Sequence, residues 1–144
     1  MRFSTISKQS TLLSLIKKES PELKSLLERI SETSKATAKE LETLATIHPP
    51  LNLKVTHLPR IELAARDSLD KETSKQILNS HGVDLEFNMV SSQLAAMNYA
   101  AHLARSLVVV ETNPRRKEFL RRTDRNFSEL HGQVYKMLFT RYQR

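Results

Sequence analysis

A chain of 144 residues with 39% hydrophobic content suffices for one domain around one core. It has no cysteine, which excludes disulfide frameworks, thiolate metal sites and thiol catalysis, and its two glycines and five prolines are too little punctuation for many short strands. The formal net charge is +7, and where that charge sits decides what it can attract.

Met1 to Ser20 holds the short apolar clusters Leu12, Leu13, Leu15 and Ile16 among serines, threonines and lysines, without the continuous apolar run of a signal peptide. No window approaches the ~20 consecutive apolar residues of a membrane-spanning helix, so no transmembrane segment is expected. A cysteine-free chain suits a reducing cytosol and an oxidising periplasm equally.

Ser20-Pro21-Glu22 then reads as a helix start: a capping hydroxyl, a proline where no amide partner is needed, and an acid at the positive end of the dipole. Leu23, Leu27, Ile30, Ser34, Thr37, Leu41 and Leu44 recur in steps of four and three, which lays one seam along a helix over about 21–47. Pro49 to Leu58 reads as an extended connection. A weaker helix follows over 59–79, carrying Ile61, Ala65, Leu69, Ile77 and Leu78, with a break at Asp70 allowed and an end at Ser80-His81-Gly82 through a left-handed glycine. Asp84 caps a long third helix over 84–112, and Asn113-Pro114 turns into a fourth over 114–142 whose seam is Leu120, Thr123, Phe127, Leu130, Val134 and Met137. Short connections between long helices place neighbours antiparallel. The expected fold is all-α, an up-and-down antiparallel four-helix bundle forming a single domain over 1–144, with 1–20 as an N-terminal segment.

The third helix has a wide apolar arc. Its seam is Phe87, Val90, Leu94, Met97, Ala101, Ala104 and Val108, with a second row at Met89, Ala96, Leu103 and Val110. Glu86, Gln93, Ala100 and Leu107 run between the rows, so Glu86 and Gln93 are expected inside, where an unpaired polar group costs roughly 1–3 kcal/mol. Equal distances from the turn near Asn113 set Gln93 level with Gln133, so an amide contact across the hairpin is expected. Ser34 and Thr37 would add small polar positions inside. Register-fixing polar residues are the ordinary reading of such a set.

A bundle metal site needs several carboxylates converging, commonly with Glu-x-x-His motifs, and none is present. Glu40, Glu62, Glu86 and His131 are the only candidates for convergence. His102 falls on a polar side, and His48, His57 and His81 lie in or beside loops. No cofactor is implied.

Residues 114–144 hold nine Lys/Arg against three acids, which is +6 of the +7. Arg115, Arg121, Arg122 and Arg125 lie away from the seam as a basic face open to nucleic acid, anionic lipid or an acidic partner. Arg115, Arg116 and Lys117 stand in a first turn, where the dipole disfavours cations, and Glu111 stands in a last turn, where it disfavours anions; pairing across the turn offsets both. The patch carries no interleaved aromatics and no helix-turn-helix spacing precedes it, which counts against a dedicated nucleic-acid site.

The segment Leu78-Asn79-Ser80-His81-Gly82-Val83-Asp84-Leu85-Glu86-Phe87-Asn88-Met89-Val90-Ser91-Ser92-Gln93 resembles the middle of the ferritin-like bundle family catalogued as domain of unknown function 4142. There a glycine after a leucine-rich turn leads into an acidic-aromatic helix start and a Met-Val pair, and the likeness in helix order extends over roughly residues 10–140. The resemblance implies a ferritin-like, extracytoplasmic bacterial envelope protein with a structural or stress-related role and no established reaction. The family carries a histidine near the place of Gln93, so no metal site is inherited.

The expected function is a non-enzymatic interaction or structural module, with an unknown protein partner or a second copy of itself. The alternatives are a metal or small-ligand binder using Glu40, Glu62, Glu86 and His131, and a nucleic-acid or anion binder using Arg115, Arg121, Arg122 and Arg125. No constellation specifies catalysis.

Overall fold

The computed structural model describes residues 21–53, 59–80 and 82–142; Met1 to Ser20, His57 and His81, and what the sequence suggested of them, lie outside these. The described residues form four helices and no strand: α1 (Pro21–Ala45), α2 (Arg60–Leu78), α3 (Gly82–Val110) and α4 (Pro114–Tyr142). None is long and apolar enough to cross a membrane. Prolines open α1 and α4 because the first helical amide needs no partner.

Asp70 does not break α2, which runs on to Leu78. Its acids and bases pair along the helix, Arg66 with Glu62 at 2.7 Å and Lys71 with Asp67 at 2.9 Å, so these side chains do not compete for backbone groups. Among the described residues the end of α2 uses no left-handed residue either. Asn79 stays right-handed at φ −89°, its N–H reaching Lys75 O at 3.0 Å, and Gly82 is already the first residue of α3. Asp84 therefore sits within the first turn of α3 instead of capping it, where its charge still faces the positive end of the dipole.

Pairwise contacts join the helices. Arg29 meets Gln133, Glu40 meets Arg122, and the Leu44 and Ile47 carbonyls meet Arg116 between α1 and α4. Arg105–Asp124 and Glu111–Arg116 join α3 to α4, and Arg66–Tyr99 and Ser80–Asn88 join α2 to α3. The α3–α4 interface is by far the most extensive. Its core joins Met89, Val90, Met97 and Ala101 of α3 to Phe127, Leu130 and Val134 of α4, and takes in Leu23, Leu26, Leu27 and Ile30 of α1. A second cluster, Leu44, Ala104, Phe119 and Leu120, lies toward the α3–α4 turn.

The buried arc of α3 centres on the line between the two expected rows. Met97, Ala100, Ala101 and Ala104 are inside, whereas Phe87 is 46% exposed, Leu107 40% and Val110 72%. α4 is the main neighbour of α3, so apolar residues that it does not cover face solvent. α2 stands apart. Only Ile77 is buried there; Ile61, Ala65, Leu69 and Leu78, the other apolar residues the sequence marked on this helix, are exposed. α2 packs lightly, chiefly on α3 among the described helices, and that narrow contact cannot cover its apolar row.

Candidate functional site

The densest polar structure lies where the end of α1 meets the α3–α4 turn. Arg116, in the first turn of α4, is 2% exposed. Its Nε donates to Glu111 Oε2 at 2.8 Å, and one terminal nitrogen donates to Ile47 O at 2.9 Å and Leu44 O at 3.5 Å. A cation thus rests on carbonyls at the negative end of α1, which offsets its unfavourable place at the positive end of α4. Glu111 Oε1 accepts the N–H groups of Thr112 and Asn113 at 2.9 and 2.8 Å. Asn113 Oδ1 in turn caps α4, accepting from Arg115 N and Arg116 N, while its Nδ2 donates to His48 O at 3.1 Å. The Arg116 guanidinium, first among the causes, and then the two backbone N–H groups hold the Glu111 carboxyl below the usual carboxylate range, against the opposing effect of burial. Charge-swapped ends signalled pairing across the turn, but the burial of Arg116 was not legible. It depends on α1 ending beside it.

The interior polar residues expected from periodicity fall as follows. Ser34, Thr37, Glu86 and Gln93 are buried. Thr37 Oγ1 donates back to Thr33 O at 2.7 Å, within α1. Ser34 Oγ is buried without a hydrogen bond among the described residues. Gln133 does not meet Gln93. It is half-buried on the side of α4 facing α1, where Oε1 accepts from Arg29 at 2.7 Å and Nε2 donates to Glu129 Oε1 at 3.2 Å. Equal height across a hairpin does not make a contact when one side chain is turned toward a third helix.

The four residues considered as metal donors are engaged separately. Glu40 pairs with Arg122 and Glu62 with Arg66, both at half-exposed positions. Glu86 is buried in α3, and His131 is half-buried in α4 with its ring 6.5 Å from that of Tyr135. Among the described residues no three His, Asp or Glu side chains come close enough to hold a metal ion.

Arg115, Arg121, Arg122 and Arg125 are all exposed. Arg122 reaches Glu40, and Arg125 lies 3.5 Å from Glu118 with both side chains largely in solvent. Arg115 and Arg121 have no ion pair among the described residues. Farther along α4, His131, Tyr135 and Phe139 form a ladder of rings with centroids 6.5 and 6.2 Å apart and planes within 22° and 24°. Tyr135 is 55% exposed and Phe139 53%. The lack of aromatics noted around the arginines therefore does not extend to the helix as a whole. The i, i+4, i+8 spacing of the rings was readable in the sequence, but only the fold shows two of them facing out.

Among the described residues these features make an all-helical, four-helix arrangement with a tightly capped corner and two uncovered surfaces, one on α2 and one on α4. Comparison with protein-family models, with curated proteins and with solved structures finds no match.

Proposed function

We propose that this chain is a non-enzymatic interaction or structural module built as an up-and-down antiparallel four-helix bundle, with α2 as the helix that meets a protein partner. The observation that carries this reading is the inversion of α2: Ile61 is 82% exposed and Leu69 66%, with Ala65 between them on the same side, while only Ile77 is buried. A row of apolar residues turned to water is unfavourable by roughly 25 cal/mol for each Å² left uncovered, and a partner surface removes that penalty. Contacts in which residue number rises along one helix as it falls along its neighbour, such as Arg29 with Gln133 and Glu40 with Arg122, support the bundle topology.

Sedimentation velocity over a range of concentrations, with capture of binding proteins by the immobilised chain, tests it. The expected outcome is self-association or a captured partner that is lost in Ile61→Glu and Leu69→Glu. A chain that stays monomeric, and whose captured proteins are the same for wild type and both variants, would overturn it.

A further inference from the structure

A second surface has different chemistry. Steps of four and three along α4 bring Arg121, Arg125, Ser128, Gly132, Tyr135 and Phe139 onto one outward face, with exposed Lys136 at its edge. The cations occupy the N-terminal half and the rings the C-terminal half. Between them Ser128 and Gly132 keep the surface low, and a Cβ built at Gly132 would meet nothing within 4 Å. Arg121 and Lys136 have no ion pair among the described residues, and Arg125 is held only by the loose contact to Glu118.

We propose that this face binds single-stranded nucleic acid, with Arg121, Arg125 and Lys136 at phosphates and Tyr135 and Phe139 stacking on bases. The charge is complementary to a phosphate backbone, since the C-terminal thirty-one residues carry +6 of the net +7. Flat rings in parallel order and half in water offer stacking surfaces that an acidic peptide would not use. Inserting a helix into a bilayer surface calls for a broad aliphatic face, whereas this one is interrupted by Ser128, Gly132 and cations. From Arg121 to Phe139 the helix runs about 27 Å, enough for a site at the short end of the ~4–16 nucleotides known for single-strand binders. This inference stands apart from the reading of α2, so Leu69→Glu is expected to leave nucleic-acid binding unchanged.

Fluorescence anisotropy of a labelled oligothymidylate and a labelled oligouridylate, titrated with the full chain at several salt concentrations, tests it. Binding is expected at low salt and weakens as salt rises. Tyr135→Ala and Phe139→Ala each weaken it roughly ten-fold, while Tyr135→Phe retains affinity because stacking needs the ring and not the hydroxyl. Arg121→Ala and Arg125→Ala each lower the salt slope by about 0.7. All four positions are exposed, and helical circular dichroism checks that each variant is folded. Absence of binding at low salt would overturn the proposal. So would binding indifferent to loss of the rings, or phosphatidylserine vesicles or polyglutamate binding in preference to the oligonucleotides.

Discussion

Two connections of this chain behave oppositely. At the α3–α4 turn a buried arginine, a glutamate and an asparagine tie together the ends of three helices, and the helices on either side share the largest interface. At the α2–α3 connection the ties among the described residues are lighter: Asn88 Nδ2 donates to Ser80 Oγ at 2.7 Å, and farther along Arg66 donates to the Tyr99 hydroxyl at 3.0 Å with its guanidinium 5.6 Å from the ring centroid. Helices of similar local propensity thus acquire very different standing. α4 is held by apolar burial along its length and capped at its start, whereas α2 is anchored chiefly by Ile77 near its end. The difference teaches that a helix can be continuous and well formed while contributing little to the core. It is then free to present its apolar side elsewhere.

The sharpest way to break the comparison is at its extremes. Phe127 is fully buried between α3 and its neighbours, and Phe127→Ala is expected to destabilise the chain by about 3–5 kcal/mol in urea unfolding. Next comes the corner. Glu111→Ala strands the Arg116 cation in a buried place, with an expected loss of about 3 kcal/mol by the same measurement. A loss no larger than that of a surface substitution would show that the corner does not hold the three helix ends.

A smaller effect follows from pH. The carboxyls of Glu111 and Asp124 are both held below their ordinary range, by Arg116 and by Arg105 respectively as the leading causes. Each group binds its proton more weakly folded than unfolded. The stability it contributes is therefore present above the unfolded-state value and is lost as pH falls through the lowered folded value. Stability measured from pH 6 downward to about pH 3 should decline, and Glu111→Gln with Asp124→Asn should flatten that decline. The smallest effect is expected on α2, where Ile61→Ala and Leu69→Ala should change stability by no more than about 0.5 kcal/mol. Amide hydrogen exchange should accordingly be faster over residues 60–76 than over the middle of α3 and α4. Equal protection of the two regions would erase the distinction.

The seams of α1 and α4 were legible because steps of three and four mark the face of a helix that meets a neighbour. Leu23, Leu27, Ile30, Ser34, Thr37 and Leu44 of α1 are buried, as are Phe127, Leu130 and Val134 of α4. On α2 the sequence marked a weaker helix carrying Ile61, Ala65 and Leu69. Periodicity reports that a face exists and not that anything covers it. The candidate sites divide in the same way. The burial of Glu86 and Gln93 followed from their place in the apolar arc of α3. The partner of Gln133 depended on which neighbouring helix its side chain turned to, which height along a hairpin cannot supply.

Local chemistry and periodicity were enough to determine the all-helical character of the described residues, the starts at Pro21 and Pro114, and the pairing of opposite charges across the last turn, because each depends on residues within a few positions of one another. Tertiary structure alone decided that Arg116 lies buried on the carbonyls of α1, that α2 turns its apolar row outward, and that Tyr135 and Phe139 stand in solvent beside Lys136. Burial is a property of what packs against a side chain. That neighbour comes from a distant part of the chain and is fixed only when the helices dock.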